Sequence, residues 1–85
     1  MQVLIPTSLR SYTRVSRVEA IGATLGDVLA DLERQFPGIR FRMLDEQEQL
    51  RPHMRVFVNG RAIHDLAQPL QANDDVSVVQ ALSGG

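Results

Sequence analysis

Residues 24–38 read TLGDVLADLERQFPG, and this stretch predicts the helix against which the rest of the chain packs. Thr24 is a typical helix N-cap, and Asp27 places a carboxylate in the positively polarised first turn. Proline pushes the residue before it out of the helical region and glycine tolerates the reversal, so Pro37-Gly38 ends the helix at Phe36. Five apolar residues recur at spacings of three, one, three and four and share one helical face: Leu25, Val28, Leu29, Leu32 and Phe36.

The chain before this helix predicts a first β-hairpin. Residues 2–5 (QVLI) form a short apolar strand that Pro6 ends, because proline has no N–H to donate to a ladder. The polar residues 7–14 are expected to form a turn. Residues 17–21 (RVEAI) alternate polar and apolar side chains, which is typical of a strand with one buried face.

The chain after the helix predicts a long connection and a second hairpin. Residues 39–55 mix isolated apolar side chains with the acidic run 45–48 (DEQE), and we expect a connection containing a short strand or turn. The acidic run is interpreted as a solvated loop, with a binding feature as the alternative. Val56-Phe57-Val58 and Arg61-Ala62-Ile63 flank Asn59-Gly60, the strongest short hairpin pattern.

A valine-rich strand completes the pattern. Residues 64–73 form a connector, residues 73–75 (NDD) a turn, and residues 76–79 (VSVV) the strand. The order hairpin, helix, connection, hairpin and strand predicts an α+β fold of the β-grasp type, with a mixed sheet of four or five strands on one main α-helix. Valines suit a central strand that the helix covers. We expect one domain over residues 1–80 and a flexible C-terminal tail over residues 81–85.

Composition excludes several classes of function. At 85 residues the chain is one small domain with little room for a deep catalytic cleft. A net charge of -1 without a basic arm argues against nucleic acid or a membrane surface as partner. The absence of cysteine excludes disulfides, thiolate metal sites and a cysteine nucleophile. No apolar run could span a bilayer and no signal-peptide pattern is present, so we expect a cytoplasmic protein.

The glycine pair Gly84-Gly85 has two interpretations. It is either an inert, frayed end or a thin stem, free of side chains, that carries a carboxylate into a narrow channel of a partner. All nine basic residues are arginines, so no lysine side chain of this chain could accept an isopeptide bond.

Motifs along nearly the whole chain match one known pattern. They are the opening Val3-Leu4-Ile5-Pro6-Thr7 with Leu9-Arg10, the helix from Thr24-Leu25 to Phe36-Pro37-Gly38-Ile39, the stretch Arg51-Pro52-His53, the hairpin Val56-Phe57-Val58-Asn59-Gly60 and the terminal Gly84-Gly85. With these motifs the chain resembles the MoaD/ThiS family of ubiquitin-like sulfur carrier proteins, closest to its CysO/QbsE-type branch. Ser83 departs from the alanine found before the glycines in many relatives.

The resemblance implies a carrier that is not itself an enzyme and has no catalytic residue. An E1-like enzyme would use ATP to adenylate the Gly85 carboxylate, and a sulfur donor, either a sulfurtransferase or sulfide, would convert it to a thiocarboxylate. A sulfur-accepting biosynthetic enzyme would then take the sulfur, with cysteine or homocysteine assembly and thiocarboxylate siderophore synthesis favoured. The carrier would bind no cofactor and no metal. In some relatives a JAMM-type metalloprotease removes residues that follow the glycines.

The same resemblance assigns the residues that meet these partners. Ala81, Leu82, Ser83 and Gly84 would thread into the partner active sites. Phe57 and Val79 fall out of phase with the neighbouring valines, so we expect them on the sheet face away from the helix. There they form a partner-docking surface, unless the long connection or a dimer covers them. Leu82 is the better docking candidate, because it lies in the tail, where no core is available to bury it.

Several alternatives stay open. Instead of a sulfur carrier, the chain could be a ubiquitin-like modifier that is conjugated through Gly85 to target lysines. It could also be a non-reactive β-grasp interaction module. Arg51, Arg55 and Arg61 form either a solvated face or a positive rim for an acidic partner. His53 and His64 are interpreted as surface residues and Asp74-Asp75 as a turn.

Overall fold

The predicted central helix, α2, runs over Leu25–Gln35 in the computed structural model, which describes residues 1–81. Thr24 caps it, its Oγ1 accepting a hydrogen bond from the N–H of Asp27 at 3.2 Å. Four of the five predicted face residues are fully buried: Leu25, Val28, Leu29 and Leu32. Phe36 lies just beyond the helix and packs half-buried against the core. The predicted stop is confirmed, with Gly38 at φ 99°.

Five strands form one mixed sheet. They are β1 (Gln2–Leu4), β2 (Arg17–Glu19), β3 (Met54–Val58), β4 (Arg61–Ile63) and β5 (Asp75–Gln80). The order across the sheet is β2-β1-β5-β3-β4. β5 runs parallel to β1 and antiparallel to β3, and the two hairpin pairs are antiparallel. The last strand therefore lies in the centre, which confirms the predicted β-grasp fold.

The turn between β3 and β4 also fastens the start of β5. Asn59 and Gly60 both take positive φ values, 52° and 84°, as a tight two-residue hairpin turn requires. The Asn59 Oδ1 accepts a hydrogen bond from the N–H of Asp75 at 2.9 Å, and its Nδ2 donates to Asp74 Oδ1 at 2.9 Å. One side chain thus connects the second hairpin to the beginning of the central strand.

Two segments predicted as irregular are helical. Residues 7–14 form a 3₁₀ turn, Thr7–Leu9, and a short helix α1, Arg10–Thr13, where a simple turn was expected. Burial of Leu9 accounts for this, because a helical turn carries that side chain back into the core. The segment ends at Arg14, which has a left-handed φ of 64°.

The long connection begins with a third helix, α3 (Ile39–Met43), which was not expected. The expected short strand or turn follows it, where Leu44 and Leu50 form an isolated antiparallel bridge around a turn at residues 46–47. Ile39 and Met43 are fully buried at a spacing of four and hold one side of α3 against the core. The other side of the connection is anchored by Glu33 of α2, whose carboxylate accepts hydrogen bonds from the N–H groups of Gly38 and Arg40, each at 2.9 Å.

The acidic run 45–48 forms a compact turn after α3. Asp45 Oδ1 accepts hydrogen bonds from the N–H groups of Gln47 and Gln49, at 2.9 and 3.0 Å. Glu48 pairs with Arg40 at 2.8 Å. These contacts lie within the protein and agree with the interpretation of the run as a surface loop. Over residues 1–81, none of the helices is long and apolar enough to cross a membrane.

Candidate functional site

The last described residue of the chain is fixed to the sheet. The ladder between β3 and β5 ends with the pair Met54 and Gln80. One residue further on, the N–H of Ala81 donates a 2.7 Å hydrogen bond to the carbonyl oxygen of His53. Ala81, predicted as the first residue of the tail, is therefore attached to the domain through its backbone. Leu82, Ser83, Gly84 and Gly85 lie outside the described residues.

Phe57 and Val79 lie on the sheet face turned away from α2, which we call the outer face. Val76 and Val78 are buried on the inner face, and the alternation of side chains along a strand places Val79 on the opposite side. In the antiparallel ladder Phe57 pairs with Ser77, and Val79 pairs with Arg55. Phe57 is half-buried, while Val79 is 39% exposed. The predicted orientation of both residues is confirmed.

The outer face has an apolar middle. Leu4 of β1 pairs with Ser77 and is half-buried, and Ala62 of β4 pairs with Phe57 and is exposed. From β1 to β4 the row Leu4, Ser77, Phe57 and Ala62 thus carries small or apolar side chains, and Arg17 of β2 ends the row at the sheet edge.

A groove lies beside the end of β5. It is lined by Leu4, Pro6, Thr7, Ser8, Val79 and Gln80, together with Arg10 at the start of α1. The Nε of Arg10 donates to the carbonyl oxygen of Ile5 at 3.1 Å, which orients its guanidinium group at the groove. Leu9-Arg10 is one of the motifs that carry the family resemblance, but the motif did not indicate that Arg10 lies on this surface. Its position follows from the helical turn that the sequence analysis missed.

The three arginines considered as one rim do not lie together. Arg51 stacks on Phe41 of α3, with its guanidinium carbon 4.6 Å from the ring centre, and its Nε donates to the Phe41 carbonyl at 2.7 Å. Arg55 lies next to Val79 on the outer face, and Arg61 is at the hairpin turn, at the opposite end of β3. A rim of these three residues was therefore the wrong grouping.

The remaining polar residues have structural roles or lie on the surface. The carboxylate of Asp74 accepts hydrogen bonds from the N–H of Gln71 and from Asn59, and these bonds, the first above all, lower the pKa of Asp74. His53 and His64 are exposed. Within residues 1–81, no three histidine, aspartate or glutamate side chains are grouped so as to hold a metal ion.

Comparison with known proteins identifies the family. The sequence matches the ThiS family over residues 3–85, a span that includes Gly84-Gly85. The chain belongs to the ThiS family. It is 35% identical over 89 residues to the sulfur carrier protein CysO of Mycobacterium tuberculosis, covering 98% of this chain and 96% of that protein.

Two further relatives of this ThiS-family chain differ in their described roles. A chain of the crystal structure of the Amycolatopsis orientalis BexX/CysO complex superposes with a TM-score of 0.90 and 33% identity, covering 99% of this chain and 98% of that one. Small archaeal modifier protein 3 of Haloferax volcanii is 39% identical over 66 residues, 74% of this chain and 71% of that protein. The ThiS-family resemblance noted from the motifs is thus confirmed.

Proposed function

We propose that this protein is a sulfur carrier whose working group is the carboxylate of Gly85. The observation that carries this proposal is the ThiS-family match, which extends through the glycine pair. The curated relative of nearly equal length is named as a sulfur carrier, and the two chains align almost end to end. The protein itself supplies no catalytic residue, because the reactions occur at its carboxylate inside partner enzymes.

The chemistry has two steps. The ionised Gly85 carboxylate attacks the α-phosphate of ATP in an E1-like adenylating enzyme, which forms an acyl adenylate and releases pyrophosphate. Sulfide then attacks the activated carbonyl carbon, and AMP leaves, which gives a thiocarboxylate at Gly85. If a sulfurtransferase persulfide attacks instead, the product is an acyl disulfide, and a thiol reductant cleaves its S–S bond to release the same thiocarboxylate. The carrier binds no cofactor in this scheme, since ATP belongs to the activating enzyme.

The shape of the domain suits delivery of a terminal group. Ala81 is held by His53, so four residues, 82–85, are available to enter a partner. Fully extended, four residues span about 13 to 14 Å. Leu82, Ser83 and Gly84 then thread into the partner site, while Phe57 and Val79 dock outside it. Glycine at position 84 leaves the stem thin and its φ angle unrestricted.

The thiocarboxylate is consumed by a sulfur-accepting biosynthetic enzyme. We propose one that assembles cysteine or homocysteine, or one that makes a thiocarboxylate siderophore, in keeping with the CysO/QbsE-type motifs. Where residues follow the glycines in the primary translation product, a JAMM-type metalloprotease would expose Gly85.

Intact mass tests the proposal. The protein is incubated with ATP, sulfide and, in turn, each E1-like enzyme of its source organism. Replacement of one carboxylate oxygen by sulfur adds about 16 Da, and this gain should depend on ATP. Gly84→Val should keep the melting temperature of the wild type yet lose the mass gain, because a β-branched side chain narrows the stem's allowed conformations. Normal adenylation of Gly84→Val would contradict the threading role.

A second function, conjugation to other proteins, is favoured by the 39% identity to small archaeal modifier protein 3. In that case Gly85 would form an isopeptide bond with a lysine of a target protein. The same incubation carried out in a cell extract distinguishes the two: a carrier gains about 16 Da, whereas a modifier appears in covalent adducts of higher mass. A protein that shows neither change is a non-reactive interaction module.

A further inference from the structure

The outer face is electrically polarised along β5. Among the strand residues on this face, the carboxylates are confined to the row where β5 begins: Gln2 pairs with Glu19 on one side and with Asp75 on the other. Glu19 is fastened there by the Nε2 of Gln2 at 3.2 Å and by the amino group of Met1 at 3.3 Å. The start of β5 is therefore the acidic end of the outer face.

The opposite end of this face, where β5 finishes, carries arginines. Arg55 pairs with Val79 across the β3–β5 ladder. Arg17 lies one row nearer the acidic end, because it pairs with Leu4, which in turn pairs with Ser77 in the middle of β5. Arg10 lines the groove that also contains Leu4 and Val79. Since β5 lies between β1 and β3, Arg10 and Arg55 flank its last residues from both sides. We call Arg10 and Arg55 the arginine cluster.

Both members of the cluster are held in place without a carboxylate. Arg10 Nε donates to the Ile5 carbonyl at 3.1 Å, and Arg55 Nη1 donates to the carbonyls of Pro52 and Met54 at 2.6 and 3.1 Å. Within residues 1–81 the ion pairs at 4.0 Å or less involve other groups. A guanidinium group has five N–H donors in a planar fork, so each of the two keeps donors for an external acceptor. Because they are already oriented, little further entropy is lost on pairing.

We infer that the arginine cluster docks on a carboxylate-bearing rim around the entrance of the activating enzyme's channel, with Val79 and Leu4 against an apolar patch beside it. This inference rests on the proposed function. Ala81 is fixed at this same end of the sheet, and about 14 Å of remaining chain obliges a partner that receives Gly85 to contact this end. Carboxylates on that partner would be attracted by the cluster.

The carboxylates at the start of β5 favour one orientation of the docked partner. Glu19 and Asp75 would be repelled by the same rim, so a partner rotated by half a turn on the outer face meets like charges. Complementary charge at a rim acts mainly on the rate of encounter and on orientation, and salt screens it. The cluster therefore affects how well the carrier is captured, whereas the chemical step at Gly85 is unchanged.

Charge reversal tests this inference. Arg10→Glu and Arg55→Glu are compared with the control Arg42→Glu, which makes the same charge change at an exposed position of α3. ATP–pyrophosphate exchange is measured with the E1-like enzyme that adenylates the wild type. Each cluster variant should raise the KM for the carrier about tenfold and leave kcat within about twofold. The rise should shrink at about 0.5 M NaCl, where the Debye length is a few Å.

Thermal unfolding verifies that each variant is folded, and Arg55→Gln, which keeps the size of the side chain without its charge, replaces Arg55→Glu if the latter unfolds. Provided that the wild type is adenylated, the inference is overturned if the cluster variants have the same KM as Arg42→Glu. If no E1-like enzyme adenylates the wild type, the proposed function fails, and the inference fails with it.

Discussion

The N–H of Ala81 donates to the carbonyl of His53 at 2.7 Å, one residue beyond the last pair of the β3–β5 ladder. This bond holds Ala81 at the end of the sheet. Five residues, 81–85, could span at most roughly 17 Å from the domain, whereas the four residues after Ala81 could span at most about 13 to 14 Å. The depth at which a partner can place its reacting atoms is limited accordingly.

Deletion of Ser83 should strongly impair activation. It shortens the stem by about 3.5 Å, and misplacement by even 1 Å of a reacting group costs about a hundredfold in rate. The adenylation rate should therefore fall about a hundredfold, as measured by ATP–pyrophosphate exchange. Ser83→Ala is the matched control, since it preserves length and should keep the wild-type rate. Equal activity of the deletion variant and the control would show that reach is not limiting.

Gly22→Ala should destabilise the fold. A Cβ atom there would lie 2.6 Å from the Val28 nitrogen and 2.8 Å from the Asp27 carbonyl carbon, where the chain leaving β2 passes the first turn of α2. Overpacking of this kind costs about 1 to 3 kcal/mol in the free energy of unfolding. Urea denaturation measures it. Gly60→Asn is the control, because Gly60 faces open space and asparagine tolerates its positive φ. A stable Gly22→Ala protein would mean that the β2–α2 connection can shift.

Asn59 should stabilise the protein in two separable ways. Asn59→Gly keeps the left-handed backbone but removes the hydrogen bonds to Asp74 and Asp75, at a cost of about 1 kcal/mol in the free energy of unfolding. Asn59→Ala also places a Cβ at φ 52° and should cost about 1 kcal/mol more. Urea denaturation of both variants provides the comparison. Equal stability of Asn59→Gly and the wild type would show that the side-chain bonds contribute nothing.

Stability should fall in acid. The pKa of Glu33 is lowered mainly by a hydrogen bond from the N–H of Gly38, with a smaller effect from the N–H of Arg40. The pKa of Asp31 is lowered mainly by a hydrogen bond from the Arg34 side chain, with a smaller effect from the N–H of Ile21. The unfolded chain, with carboxyl pKa values near about 4, binds protons more readily than the folded protein. The stabilisation is present above those unfolded values and is lost as the pH falls through the lowered folded values.

Glu33→Gln tests this assignment. The variant lacks the titrating group, so its free energy of unfolding should depend less steeply on pH below about 4 than that of the wild type. Glu46→Gln, at an exposed position in the loop after α3, serves as the control and should retain the wild-type slope. Urea denaturation between about pH 2.5 and 6 measures both. If the free energy of unfolding of Glu33→Gln depends on pH as steeply as that of the wild type, the acid sensitivity arises from other carboxylates.

The sequence allowed accurate prediction wherever a local pattern has one structural solution. The stripe from Leu25 to Leu32, with Thr24 before it and Pro37-Gly38 after it, specifies both the helix and its buried face. Asn59-Gly60 specifies the tight turn between β3 and β4. The valines of β5 indicated a central strand because a strand covered by a helix favours β-branched side chains.

Helices shorter than two turns escaped prediction. In α3 the two buried residues, Ile39 and Met43, form a single four-residue interval, which is too short to establish a helical period. The helix depends on a distant contact, the Glu33 carboxylate at its start. The position of Arg10 beside the end of β5 depends likewise on tertiary packing of Leu9.

The candidate site was predicted in part. Alternation along β3 and β5 sufficed to place Phe57 and Val79 on the outer face. The grouping of arginines could not be read from sequence spacing. Strand pairing brings Arg55 to the end of β5, the helical turn brings Arg10 there, and Arg61 lies at the other end. The attachment of Ala81 also depends on pairing between residues 28 positions apart, His53 and Ala81, which no local pattern reveals.

The central place of β5 makes closure of the sheet depend on contacts between distant parts of the chain. β1 and β3 do not pair with each other, and β5 joins them by lying between them. A chain without β5 would therefore hold two separate hairpins, β1–β2 and β3–β4, with no strand between them. Formation of one continuous outer face thus requires the strand that leads directly to Ala81.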